Sequence, residues 1–198
     1  MNEITINILL LGDSSVGKTN LLMRYTQNKF NESHISTCGF DIVEKNINLD
    51  GRNVKLKITD PCGQGDYKKF QKNFYHGIDG IIFIFDVTNK ESFVNIENWL
   101  NQAREYSDFF ESVLVGNKID LTNIIVVNKE DVKENAYYRE KEYYEVSTKE
   151  NIDIQKPFEE LTRMIINNLE ENGSIMSNGN RVSLSEINTG GSDKIRCC

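Results

Sequence analysis

The sequence predicts an α/β fold, with a six-stranded, mostly parallel sheet, one antiparallel edge strand, and helices on both faces. First, short apolar runs alternate along the chain with amphipathic segments at helical spacing, as in parallel sheets covered by helices. Second, Asp50-Gly51 lies between two strand-like runs, and this dipeptide favours a hairpin, so one strand pair is antiparallel. Third, 198 residues with 38% hydrophobic content can form one domain with a proper core.

Each element of this fold has a local signal. The predicted strands are buried or alternating apolar runs at residues 4–11, 40–49, 53–59, 80–85, 112–116 and 143–146. A first helical pattern begins at Asn20, and further helices are predicted over 92–106, 129–138 and 155–169. Pro157 suits the first turn of the last helix, because its missing N–H would have no partner there.

The segment between the first strand and the first helix fits the phosphate-loop pattern G-x-x-x-x-G-K-[ST]. Its glycines permit close backbone approach, and successive N–H groups at a helix N-terminus favour a phosphate. Lys18 is predicted to reach the β- and γ-phosphates, and Thr19 to offer its hydroxyl to Mg²⁺. The alternative is a chance glycine-rich turn, which the flanking strand and helix disfavour. The predicted phosphate-binding residues here are Asp13, Ser14, Ser15, Val16, Gly17, Lys18 and Thr19.

A second string, Asn117-Lys118-Ile119-Asp120, follows the predicted strand at 112–116 and therefore lies at its carboxyl end, where open α/β sheets bind ligands. The Asp120 carboxylate can accept two N–H bonds from a guanine edge, which adenine does not offer. Asn117 can hold neighbouring loops, and the Lys118 stem can cover the base. Alone, the string would be an ordinary surface turn. After a phosphate loop, it predicts a guanine site with GTP or GDP as ligand.

Together these strings resemble the small GTPases of the Ras superfamily, and the Rab branch in particular. The resemblance runs from Ile4 to about Asn168 and resumes at the last two residues. It implies a P-loop NTPase fold, a GTPase domain over residues 1–170 and a flexible hypervariable tail over 171–198. The supporting strings are Gly12 to Thr19, Ile35-Ser36-Thr37-Cys38-Gly39, Asp60-Pro61-Cys62-Gly63-Gln64, Asn117 to Asp120, Ser147-Thr148-Lys149 and Cys197-Cys198.

The resemblance implies roles for the two switch segments. Thr37 would coordinate Mg²⁺ only when a γ-phosphate is present, and Asp60 would hold the ion through a water. The Gly63 amide would bind the γ-phosphate, and Gln64 would orient the attacking water as the catalytic residue.

The resemblance also completes the guanine site. Phe30 matches the position whose ring packs on guanine in relatives, with a half-exposed loop aromatic as its alternative. The backbone of Ser147, Thr148 and Lys149 would approach the base, although this tripeptide alone would be an ordinary polar turn.

Switch II departs from the family pattern, because Pro61, Cys62 and Gly65 stand where relatives usually have Thr, Ala and Glu. Pro61 fixes its own φ and lacks an N–H, and Gly65 loosens the residue after Gln64. We expect retained nucleotide binding and slow hydrolysis of GTP without an activating protein. One alternative is a GTP-binding scaffold with little or no hydrolysis, which the retained Gln64 disfavours. The other is an ATP-using kinase or ATPase, which Asn117 to Asp120 makes the weaker interpretation.

The tail ends in Cys197-Cys198, which in Rab proteins are both geranylgeranylated, and two prenyl chains give firm membrane attachment. Two unmodified thiols are the alternative. The resemblance thus implies a regulator of vesicle-mediated transport that is found in the cytosol and, through its prenyl groups, on the cytoplasmic face of an endomembrane. Its partners would be effectors, an exchange factor, a GTPase-activating protein, a prenylation escort and a GDP-dissociation inhibitor.

Composition excludes several other classes. The formal charge of −7 and the absence of a basic stripe argue against nucleic-acid binding. No signal peptide or transmembrane stretch is evident. Four cysteines do not indicate a disulfide scaffold, and reduced thiols are expected for Cys38 and Cys62.

Overall fold

The computed structural model describes residues 4–32, 40–61, 75–107, 109–135, 138, 141–171, 174–177 and 180–183. Several predicted functional residues lie outside these ranges, and their roles therefore stay predictions. They are Thr37, Gly63, Gln64, Cys197 and Cys198, together with the switch residues Cys38, Cys62 and Gly65.

The main sheet has the predicted six strands in the order β2-β3-β1-β4-β5-β6. The β2–β3 pair is antiparallel, and every other neighbouring pair is parallel, so the predicted antiparallel edge strand is confirmed. All six predicted strands are present, and the differences are limited to one or two residues at their ends. The strands are β1 (Ile4–Leu11), β2 (Phe40–Leu49), β3 (Arg52–Pro61), β4 (Gly80–Asp86), β5 (Glu111–Asn117) and β6 (Glu142–Val146).

Five α-helices are present among the described residues. The helix predicted over 92–106 is two helices that meet at Asn95, and the first starts earlier because Asn89 caps it by accepting from the Glu91 and Ser92 amides. The helix predicted over 129–138 ends at Glu134, because Asn135 has an extended conformation. The helices are α1 (Lys18–Gln27), α2 (Lys90–Val94), α3 (Ile96–Tyr106), α4 (Lys129–Glu134) and α5 (Lys156–Glu171).

Two apolar clusters cover the two faces of the sheet. On one face Leu10 and Ile82 pack with α1 and with Phe158 of α5. On the other, Leu9 and Ile81 pack with side chains from α2 and α3. Adjacent residues of one strand point to opposite faces, so the buried strands β1 and β4 supply both clusters. Helices on both faces follow from this, as predicted, and the carboxyl ends of β1, β3, β4 and β5 meet at one edge.

A two-stranded antiparallel hairpin, β7 (Ser174–Ser177) and β8 (Asn180–Ser183), follows α5. The sequence interpretation expects no regular structure there. In the sequence these strands are separated by Asn178-Gly179, a dipeptide that favours tight hairpins. The division into a domain at 1–170 and a tail at 171–198 stays a prediction.

Candidate nucleotide site at the strand ends

The loop between β1 and α1 is held by close backbone packing at its two glycines. A Cβ added at Gly12 would lie 2.1 Å from the carbonyl oxygen of Ile84, and one at Gly17 would lie 2.4 Å from the Nδ2 atom of Asn117. Gly17 also has a φ of +102° and is the residue from which α1 starts. Any side chain at these two positions would therefore displace a neighbouring strand end or strain the backbone.

Lys18 lies buried beneath the same loop. Its Nζ donates to the carbonyl oxygens of Gly12, at 2.9 Å, and Asp13, at 2.7 Å. These bonds fix an ammonium group beside the first turn of α1, where backbone N–H groups and the helix dipole also favour an anion. The arrangement can bind a polyphosphate.

Thr19 and Asp60 bring a hydroxyl and a carboxylate together. The Thr19 Oγ1 donates to the Asp60 Oδ2 at 2.5 Å, and Asp60 is fully buried near the end of β3. Burial raises the pKa of Asp60 above its usual value, because the charged form loses its hydration. Its second oxygen, Oδ1, has no hydrogen-bond partner among the described residues. An unsatisfied buried carboxylate oxygen beside a hydroxyl fits a hard cation such as Mg²⁺.

Asn117, at the end of β5, connects the two halves of the site. Its Nδ2 donates to the Val16 carbonyl oxygen at 2.9 Å, in the phosphate loop. Its Oδ1 accepts from the Thr148 amide, at 3.1 Å, and from the Thr148 hydroxyl, at 2.7 Å. One buried amide side chain therefore sets the distance between the loop at residues 12–19 and the loop that follows β6.

Lys118 and Asp120 are each held by a second side chain. The Lys118 Nζ lies 2.7 Å from the Asp86 Oδ2 and donates to the Ser15 carbonyl oxygen at 2.9 Å. The Asp120 Oδ1 accepts from the Ser147 hydroxyl at 2.6 Å. These contacts hold a carboxylate at the strand-end edge, and a carboxylate can accept the paired N–H groups of a guanine.

The Asp13 side chain is held by residues that sequence reasoning did not identify. Its Oδ2 accepts from the Asn95 Nδ2 at 2.8 Å, and its Oδ1 accepts from the indole N–H of Trp99 at 2.9 Å. The junction of α2 and α3 is therefore tied to the phosphate loop. Since these partners are 82 and 86 residues from Asp13 in the chain, no local pattern could have indicated them.

Phe30, predicted to contact the base, is half-buried after the end of α1, with the Arg24 guanidinium carbon 5.6 Å from its ring centroid. The structure thus brings the described phosphate-loop, Asp60, Asn117–Asp120 and 147–149 residues to one edge of the sheet. Missed by the sequence interpretation were Asp86, which pairs with Lys118, and Arg24, which reaches the 147–149 loop. In the sequence, Arg24 is one polar residue in the first helical pattern, and nothing there marks it as a site residue.

Membrane-spanning helices and clustered metal ligands are both absent from the described part of the chain. None of the described helices has the length and apolar character needed to cross a membrane. The described part of the chain also has no group of three or more His, Cys, Asp or Glu side chains positioned to hold a metal ion. The candidate cation site remains the pair of Thr19 and Asp60, because it combines a hydroxyl with a buried carboxylate oxygen that has no partner among the described residues.

Comparison with known proteins matches a model of the Ras family to residues 7–167. The chain is 33% identical over 183 residues to Ras-related protein Rab-13 of Bos taurus, covering 92% of this chain and 89% of the relative. It is 37% identical to GTP-binding protein Rab-3D of Rattus norvegicus, with 93% and 86% covered. It is 36% identical to Ras-related protein Rab-1D of Dictyostelium discoideum, with 86% and 84% covered.

Proposed function

We propose, because this chain belongs to the Ras family and is a Rab-like GTPase, that the strand-end site binds GTP and GDP and drives a switch in membrane trafficking. The Asn117 side chain carries the proposal. It bonds Val16 in the phosphate loop and Thr148 in the loop after β6, and so joins a polyphosphate site to a base site. A nucleotide is the ligand class that has both parts.

The phosphate half of the ligand would contact the loop backbone and the Lys18 ammonium. Mg²⁺ would be held by Thr19 directly, by Asp60 through a water and, in the GTP form, by Thr37. When bound, the ion neutralises charge on the β- and γ-phosphates. The orphaned Asp60 Oδ1 supports this assignment, because burial without a partner is costly for a carboxylate oxygen.

The base half would contact Asp120, whose carboxylate accepts two N–H bonds from guanine. Ser147 supports this role, because its hydroxyl donates to one Asp120 oxygen and so orients the carboxylate. Asp86 and Ser15 hold the Lys118 Nζ at the strand-end edge, so the aliphatic part of the Lys118 side chain remains available to cover the base. Phe30 would pack on the base as well.

The switch itself would depend on Thr37 and Gly63, which bind the γ-phosphate region in the GTP form and release it after hydrolysis. Gln64 would orient the attacking water. Effectors would bind the ordered GTP form, while an exchange factor and a GTPase-activating protein would set the balance of states. The expected membrane anchor is prenylation of Cys197 and Cys198, with an escort protein and a GDP-dissociation inhibitor as partners. Mass spectrometry finding both thiols unmodified on membrane-bound protein would refute the anchor.

The second candidate is a GTP-binding scaffold that hydrolyses little or no GTP by itself. One observation favours it. Pro61 is the last residue of β3 and pairs in register with Phe40, so a residue without a backbone N–H and with a fixed φ leads into switch II. A stiffened hinge at this position would hinder the placement of Gln64.

Single-turnover hydrolysis of magnesium-GTP by the purified wild type and by Gln64→Leu tests the proposal, after bound guanine nucleotide has been confirmed by chromatography. We expect slow hydrolysis in the wild type and at least about a tenfold loss in the variant. Tight binding with no hydrolysis in either protein would favour the scaffold. Competition by ATP as strong as by GTP would refute the guanine site.

A further inference from the structure

We propose that Arg24 is a positioning residue that holds the base side of the nucleotide site together and thereby slows nucleotide release. The inference deepens the proposed function and depends on it. Arg24 lies in the last turn of α1, is half-buried, and belongs to none of the motifs that the sequence analysis identified.

Arg24 uses two donors of its planar guanidinium on the loop that follows β6. The Nε donates to the Thr148 carbonyl oxygen at 3.0 Å, and one terminal nitrogen donates to the Lys149 carbonyl oxygen at 2.9 Å. The two acceptors are successive carbonyls of the tripeptide whose backbone is expected to approach the base. A guanidinium has this fork of donors in a fixed geometry, whereas the ammonium of lysine does not.

The other edge of the same guanidinium faces the segment that leads to Phe30. The second terminal nitrogen donates to the Asn28 carbonyl oxygen at 3.2 Å and to its Oδ1 at 3.4 Å. Asn28 ends α1 with a φ of 54°, so this bond holds a left-handed C-cap. The guanidinium carbon lies 5.6 Å from the Phe30 ring centroid, which is within cation–π range.

A further hydrogen bond joins the two segments that Arg24 contacts. The Asn151 Nδ2 donates to the Asn28 Oδ1 at 3.3 Å, so the cap of α1 and the loop after β6 are bonded to each other as well as to Arg24. Arg24 therefore connects both segments predicted to contact the base, Phe30 and residues 147–149. Asn117 connects the latter to the phosphate loop from the opposite side.

Arg24 is expected to affect how fast the nucleotide is released, without contacting the nucleotide itself. With Arg24 removed, the bonds from Asn117 to the Thr148 amide and hydroxyl are those that remain to Thr148 and Lys149 among the described residues, and Phe30 loses its cation. The Ser147 hydroxyl, which orients Asp120, lies in the same loop. Loosening this loop should weaken the bonds that Asp120 makes with the guanine edge and let the base leave sooner.

The test measures dissociation of fluorescent GDP and IDP from the wild type, Arg24→Ala and Arg24→Lys. IDP lacks the exocyclic amino group that Asp120 would bind. We expect GDP dissociation to be about tenfold faster with alanine and about threefold faster with lysine, and the preference for GDP over IDP to fall with alanine. Arg24→Lys keeps the test usable if Arg24→Ala does not fold.

Arg163→Ala is the matched control. Arg163 is another partly exposed arginine bonded to acceptors, but these are Asp50 and Glu160, remote from the strand-end edge. It should dissociate GDP at the wild-type rate. Dissociation within twofold of wild type for both Arg24 variants would overturn the proposal, as would equal acceleration for GDP and IDP. A wild type that binds no guanine nucleotide would instead refute the proposed function.

Discussion

The two halves of the nucleotide site are built in different ways. The phosphate half is centred on one contiguous segment, residues 12–19, in which Lys18 bonds acceptors only five and six residues away and two glycines pack directly against neighbouring strands. Its distant partners, Asp60, Asn95 and Trp99, bond to side chains of that segment. The base half is assembled from distant segments. Its contacts span 27 residues from Asp120 to Ser147, 31 from Asn117 to Thr148, and 124 from Arg24 to Thr148.

This difference indicates which kind of change each half tolerates. The phosphate half has no space for an added Cβ at Gly12 or Gly17, so it should be most sensitive to a gained methyl group at these positions. The base half depends on a few donors and acceptors, so it should be most sensitive to one lost or exchanged polar group. The following predictions run from the largest expected effect to the smallest.

Gly17→Ala should lower the affinity for GDP at least about a hundredfold, because its Cβ would lie 2.4 Å from the Asn117 Nδ2 and φ would remain positive. Isothermal titration calorimetry measures the loss. Gly51→Ala is the matched control, since Gly51 also has a positive φ, of +82°, but no atom lies within 4 Å of its added Cβ. It should lower the free energy of unfolding by about 1 kcal/mol and leave the affinity unchanged. Equal affinity losses in the two variants would contradict the packing argument.

Asp120→Asn should lower the affinity for GDP about a hundredfold, because an amide has one acceptor oxygen and turns a donor toward the guanine edge. The same donor suits xanthine, which has a carbonyl in place of the exocyclic amino group, so xanthosine diphosphate should bind the variant better than GDP. Competition assays measure both nucleotides. Asp153→Asn removes an exposed carboxylate paired with Lys156 and should change neither affinity. Unchanged GDP binding in Asp120→Asn would remove Asp120 from the base site.

Trp99→Phe should speed GDP dissociation about two- to threefold, because it removes only the indole donor to the Asp13 Oδ1 while Asn95 still holds Oδ2. Stopped-flow dissociation kinetics measure the change. Tyr106→Phe, in the same helix, removes a hydroxyl from a side chain that stacks on Tyr75 rather than on the site, and it serves as the control. An acceleration of GDP dissociation larger than that of Arg24→Ala would contradict the expectation that the base half is the more sensitive to a lost polar group.

Much of the fold was predictable because its signals are local. Apolar runs identified all six strands of the main sheet, and Asp50-Gly51 identified the antiparallel pair. Errors arose where a side chain's partner was distant or a dipeptide was overlooked. Asn95, where the predicted helix is divided, bonds to the distant Asp13, and the two strands of the hairpin after α5 lie on either side of Asn178-Gly179 in the sequence.

The phosphate loop, the Asn117–Asp120 string and the strands that lead into them could all be read from the sequence, because each is a property of neighbouring residues. The bonds of Asn95 and Trp99 to Asp13, of Asp86 to Lys118 and of Arg24 to the 147–149 loop depend instead on how the chain packs. Polar side chains such as these have many possible partners along a chain, and the selected partner depends on which elements the packed sheet and helices bring within hydrogen-bond distance.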